Sequence, residues 1–131
     1  MASVDERLKE LGLELPPAAA PLAQYVPAKR LGEGVSVAQG RECARLCALN
    51  ALAAVKQAAG SLESVAEVVQ LRGFVRSAPD FGDQPEVVNA ASELMAALFG
   101  EAGRHVRSAV GVSALPRGVP VELELIVRLK A

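Results

Sequence analysis

The chain has 131 residues, of which 51% are apolar and only 3% aromatic, and its formal net charge is −1. That is the size of one domain with one core, filled by Ala, Val and Leu rather than by rings. Acidic and basic residues are intermixed, so no positive field of the kind that binds phosphate backbones is built, and nucleic acid is not an expected partner.

Met1 to Glu10 carries Asp5, Glu6 and Glu10 and no apolar stretch, unlike a secretory leader. No apolar run approaches the roughly 20 residues that span a bilayer. The expectation is a soluble cytoplasmic protein without a membrane partner. Cys43 and Cys47 lie four apart in a helical pattern, where no third and fourth ligand is within reach. They read as small buried apolar residues in a reducing compartment, with a metal or redox pair as the alternative.

In chain order, Ser3-Val-Asp-Glu6 has the form of a capping box, followed by Leu8 and Leu11 and stopped by Gly12, which predicts a short helix. Leu15 to Pro27 is rich in Pro and Ala and predicts an extended connector, with Tyr25 in a stretch compatible with a short strand. Gly32-Glu33-Gly34 reads as a turn. Ser36-Val-Ala-Gln39 is a second capping box, opening a helix through Cys43, Leu46, Cys47, Leu49, Asn50 and Ala54 to Gly60. Gly40 in its first turn costs roughly 1 kcal/mol against Ala, and predicts fraying or a close approach rather than a break.

Val65 to Val75 is rich in β-branched residues and predicts a strand, with Val69, Leu71 and Val75 on one face and Gln70, Arg72 and Phe74 on the other. Gly73 inside it suggests a bulge or tight packing from above. Ser77-Ala-Pro-Asp80 is a turn. Asp83-Gln-Pro-Glu86 opens a third helix with Val87, Ala91, Leu94, Met95 and Leu98 as its apolar stripe and Gly100 as its end. Two strands follow, His105 to Val112 and Val121 to Leu129, joined through Leu115-Pro-Arg-Gly118, a loop long enough for a hairpin. In the last strand Val121, Leu123, Leu125, Val127 and Leu129 alternate with Glu122, Glu124, Ile126 and Arg128. One face is core, and the charged face is where function is to be sought. The pattern is α+β: helices packed on one face of a mixed sheet, whose polar second face is commonly completed by another subunit.

Four stretches together resemble the YjgF/RidA family (L-PSP endoribonuclease-like), in its variant with an extra N-terminal helix. They are Pro21-Leu-Ala-Gln-Tyr25; Ala44 to Gly60; Leu71 to Asn89; and Arg107-Ser-Ala-Val-Gly-Val112 with Leu115-Pro116 and Val121-Glu-Leu-Glu124. The resemblance runs in order over most of residues 3 to 130. It implies a chorismate mutase-like fold, a homotrimer with clefts between subunits, and hydrolysis of reactive enamines and imines such as 2-aminoacrylate to 2-oxo acids and ammonia, with no cofactor and no metal. It also implies a residue for each role: Arg107 to grip the substrate carboxylate, Glu122 to hold a water, Tyr25 as the cleft tyrosine and Asn89 as a polar cleft residue. One family feature is missing. The strand ending in Ser-Gly-Gln, with the turn and strand after it, has no counterpart, because only Val26 to Val35 join Tyr25 to Ser36.

Guanidinium chemistry suits the first role, since its planar fork binds a carboxylate through two bonds and never loses its charge. A carboxylate such as Glu122 can orient or deprotonate a water. Each residue also has a plain alternative: an exposed strand Arg or interface ion pair, a solvated strand Glu, a packing Tyr, a helix-surface Asn. His105 is the only histidine and reads as a structural strand-edge residue. Glu122 and Glu124, two apart on one face, could be a carboxylate pair or mere alternation. No nucleophile elbow, HExxH pair or phosphate-binding glycine loop occurs. The leading expectation is an enamine/imine deaminase. A non-catalytic trimeric protein binding a small carboxylate is the alternative, and an endoribonuclease comes last.

Overall fold

The computed structural model describes residues 2–17 and 30–131, so the connector with Tyr25 falls outside the described residues. Helix α1 (Val4–Glu10) starts where expected, with Ser3 Oγ accepting from the Glu6 N–H at 3.1 Å. It ends at Leu11, and Gly12 follows with φ of +70°. Val4 and Leu8 bury its inner side. Arg7 donates to the Leu98 carbonyl at 2.9 Å, and the Val4 N–H donates to the Glu63 carboxylate. A seven-residue helix is marginal alone; these tertiary contacts hold it.

Strands β1 (Arg30–Leu31) and β2 (Gly34–Val35) flank the expected turn, closed by the Glu33 N–H donating to the Arg30 carbonyl at 2.9 Å. Leu31 is fully buried, and its carbonyl accepts from the Ala78 N–H at 2.9 Å, which ties this segment to the chain beyond the next strand.

Helix α2 (Val37–Ala59) has both bonds of its capping box and ends at Gly60 with φ of +86°. Its alanines serve close packing: Ala44 and Ala48 have no exposed surface. Gly40 marks a close approach rather than fraying. A Cβ there would stand 2.8 Å from Leu31 Cδ1 and 3.2 Å from Val87 Cγ2.

Strand β3 (Val65–Arg76) is the centre of a three-stranded sheet of order β4-β3-β5. The face assignment needs one correction: Val69 is 39% exposed and Val68 takes its place in the core. Register shifts between Val65 and Glu67 and between Val68 and Gln70 are the cause, since an extra residue at a bulge inverts the period of two. Helix α3 (Gln84–Phe99) then crosses over the sheet with the expected stripe buried. At Gly73 the close packing comes from α3: an added Cβ would overlap Val88.

Strand β4 (Val106–Val112) is parallel to β3, and β5 (Val121–Leu129) is antiparallel to it. The last two strands therefore do not form a hairpin. The helical crossover from β3 places β4 alongside it in parallel, and β5 takes the opposite edge. The loop between them passes the end of β3, where Arg76 donates to the Pro120 carbonyl at 2.8 Å and Ser77 to that of Val112 at 3.0 Å.

The core lies between this sheet and α2 and α3, the α+β arrangement expected of the sequence. The other face of the sheet is uncovered among the described residues. Val106, Val110 and Ile126 are 64%, 45% and 52% exposed there, among the ion pairs Arg72–Glu124 at 3.8 Å and Arg128–Glu67 at 2.9 Å. No helix among the described residues is long and apolar enough to cross a membrane.

Candidate functional site

Arg107 sits on β4, which has a described strand on one side only. Its register partner is the buried Leu71, and paired residues share a face, so its side chain lies on the helix side of the sheet. There Nη1 donates to Asn89 Oδ1 at 2.6 Å and to Ser92 Oγ at 3.2 Å. Asn89 and Ser92 are three apart, hence neighbours on one face of α3. Both acceptors are neutral. No other hydrogen-bond partner of the guanidinium, and no carboxylate paired with it, lies among the described residues. Arg107 is thus half-buried and held in place, with no carboxylate among the described residues cancelling its charge.

Asn89 in turn donates to Glu86 at 3.4 Å, and Glu86 pairs with Arg41 at 3.3 Å. Arg41 also pairs with Glu93 at 2.5 Å. A polar chain therefore runs from Arg107 over the outer surface of α3 to α2.

Two of the residues expected in the site, Arg107 and Asn89, are brought into direct contact. Glu122 is not. It pairs in register with Phe74, one residue out of phase with Leu71 and Gly73, so it projects from the uncovered face and is exposed. Within one chain Arg107 and Glu122 occupy opposite faces and opposite edge strands of the described sheet. Glu124 shares the face of Glu122 but is engaged by Arg72. Tyr25 lies outside the described residues. Ser92 is a site residue that sequence reading missed; its only signal is its place one helical turn beyond Asn89.

His105 precedes β4, with Nδ1 3.3 Å from the Val106 carbonyl oxygen. Burial lowers its pKa, and Arg107 lowers it further against the opposing effect of that carbonyl. The two cysteines are free and half-buried, more exposed than expected, though both pack against the core. Cys47 Sγ lies 3.5 Å from the Val121 carbonyl oxygen. Burial foremost, then Cys43 and Glu122, push its thiol up to about 12; burial and Glu42 raise Cys43. Thiols so protonated are poor nucleophiles and poor metal ligands. No group of three His, Cys, Asp or Glu side chains poised for a metal occurs among the described residues. A groove of about 350 Å³ on the outer helix surface, lined in part by Leu13, Arg45 and Ala97, does not include Arg107.

A central strand crossed by α3 to a parallel neighbour, with an arginine of that neighbour tied back to the helix, defines an α+β domain with a cationic edge site. Residues 28–119 match the family described as "YjgF/chorismate mutase-like, putative endoribonuclease", and the chain belongs to this family. Protein TCP17 of Trypanosoma cruzi is 38% identical over 150 aligned positions, covering 96% of this chain and 94% of that protein. That alignment is longer than the chain itself, so the relative carries residues at positions where this chain has none. The crystal structure of Atu1372 from Agrobacterium tumefaciens, described as of unknown function, is 38% identical with a TM-score of 0.85, covering 97% of this chain and 92% of that one. A structure from Shewanella oneidensis, described as a "putative endoribonuclease", is 29% identical with a TM-score of 0.87, covering 98% and 100%.

Proposed function

We propose that the protein is an enamine/imine deaminase that hydrolyses 2-aminoacrylate-type intermediates to 2-oxo acids and ammonia. It works as a homotrimer whose clefts join Arg107 of one subunit to Glu122 of the next. One observation carries the reading: Arg107 is fixed by two neutral acceptors, so its charge remains available for a carboxylate. Arg107 and Glu122 on opposite sheet faces of one chain are compatible with a single site when a second copy supplies one of them.

In the mechanism, Arg107 binds the carboxylate of the imine tautomer through two N–H bonds. Glu122 accepts a proton from a water as its oxygen attacks the imine carbon, and the C=N electron pair moves to nitrogen, which takes up a proton from solvent. Glu122 then gives its proton to the amino nitrogen of the carbinolamine; the C–N bond breaks and ammonia leaves as the hydroxyl, losing its proton to solvent, becomes the carbonyl of the 2-oxo acid. Such imines already hydrolyse in water, so orientation and one general base are a sufficient catalytic contribution.

The test mixes two inactive variants. Arg107→Ala and Glu122→Gln are each expected to release 2-oxo acid from an enzymatically generated enamine at a greatly reduced rate. Coexpressed in equal amounts they should regain about one quarter of the wild-type rate, because random assortment in a head-to-tail ring leaves that share of clefts with both residues. No recovery would mean that the two do not meet between subunits. The position of Glu122 away from Arg107 within the chain also favours a second reading, a trimeric protein that binds a small carboxylate without turning it over. Wild-type binding of a 2-oxo acid with no acceleration of enamine hydrolysis would establish that one. Ribonuclease activity is the reading least supported by a net charge of −1, and tight, salt-sensitive retention of RNA would restore it.

A further inference from the structure

From the geometry around Arg107 we infer that Ser92 and Asn89 are a positioning pair, which turns the guanidinium so that a ligand carboxylate docks side-on against Nε and Nη2. The inference rests on the proposed role of Arg107 as a carboxylate clamp. Nη1 carries two N–H groups, and two acceptors meet it, Asn89 Oδ1 at 2.6 Å and Ser92 Oγ at 3.2 Å. With two acceptors of its own chain against it, Nη1 is the nitrogen least available to a ligand. Of the five guanidinium N–H groups, the one on Nε and the two on Nη2 meet no acceptor among the described residues. The end-on edge is thereby spoiled for bidentate binding. The side-on edge, with Nε–H and one Nη2–H parallel, is left intact for two bonds to one carboxylate.

The chemistry of the pair matters as much as its position. An Asp or Glu at either place would form an ion pair and neutralise the site. An amide oxygen and a hydroxyl restrain the group without cancelling its charge. Rigidity is supplied by α3, which carries both residues one turn apart, and by the bond from Asn89 back to Glu86 at 3.4 Å. Asn89 is therefore placed on the clamp itself, and Ser92 completes a pair that no sequence motif marks. A restrained fork loses less conformational freedom on binding than a free one.

The experiment is calorimetric titration of pyruvate into the assembled full-length protein, for wild type, Arg107→Ala, Ser92→Ala, Ser92→Thr and Asn89→Asp, each checked for native circular dichroism. Ser92→Ala should bind about three- to tenfold more weakly, the loss of one hydrogen bond. Ser92→Thr, which keeps the hydroxyl, should bind like wild type. Asn89→Asp should lose most binding while remaining folded, because it gives Nη1 a counter-charge. Separately, Nη proton resonances of Arg107 should be resolved in wild type and Ser92→Thr and averaged by rotation in Ser92→Ala. If Arg107→Ala binds pyruvate as wild type does, the clamp itself is refuted. If Arg107→Ala loses binding but Ser92→Ala and Asn89→Asp match wild type, the clamp stands and the positioning pair is refuted.

Discussion

Gly73, in the middle of β3, lies directly beneath Val88 of α3: a Cβ on Gly73 would overlap Val88 Cγ2 and stand 2.9 Å from Cγ1. The missing side chain lets the crossover helix settle onto the sheet, which in turn fixes the height of Asn89 and Ser92 over Arg107. Overpacking a core of this kind costs about 1–3 kcal/mol. Gly73→Ala is expected to lose that much in urea unfolding. Gly82→Ala, where an added Cβ meets nothing within 4 Å, should change stability little, and equal effects of the two would refute the packing argument.

Ser36 and Gln39 exchange side-chain and backbone bonds at 3.1 and 2.9 Å. Loss of such a cap costs about 0.5–2 kcal/mol, so Ser36→Ala should lower the unfolding midpoint, whereas Ser36→Asp should retain most of the wild-type value. A midpoint unmoved by the alanine would show that packing alone positions the start of α2.

Cys47 supplies a pH dependence. Its thiol is raised from the usual value near 9 to about 12 in the folded protein. Below pH 9 both folded and unfolded chains keep the proton and nothing is lost. Between about 9 and 12 the unfolded chain releases it first, so the stability held below 9 declines as pH rises towards the folded value. Cys47→Ala removes this dependence. The difference in unfolding free energy, wild type minus variant, should therefore fall from pH 8 to pH 10; a constant difference would mean that the thiol titrates as in water. Modification of Cys47 by a disulfide reagent at pH 8 should likewise be slow until urea unfolds the chain.

The uncovered sheet face bears on assembly. Val106, Gln70 and Ile126 form one row across β4, β3 and β5, and Val110, Phe74 and Glu122 form another. Light scattering is expected to give a trimer for wild type and a smaller species for Ile126→Glu, because a charge would then be buried in the subunit contact. A wild-type monomer at micromolar concentration would sink the shared cleft.

Local chemistry was legible in the sequence. The N-cap at Ser3, where only one of the two expected capping-box bonds forms, the full box at Ser36, stops at Gly12, Gly60 and Gly100, and the stripe from Val87 to Leu98 each act within a turn or two of helix, so neighbours in the chain specify them. The three strands of the main sheet, the layer of helices on it and the family were legible too, through alternation and the spacing of Arg107 to Val121-Glu-Leu-Glu124, whereas the two-residue strands β1 and β2 beside the turn were not. Tertiary structure decided whatever depends on pairing between distant segments. A bulge in β3, visible only against β5, put Val68 in the core and Val69 in solvent. The choice of β3 as common partner separated two strands that a short loop would have allowed to pair. Register then set Arg107 towards α3, where Ser92 waits 15 residues away, and Glu122 towards the open face. A one-residue difference in phase reverses the face of a strand side chain, and phase relative to another strand is not a property of any segment alone.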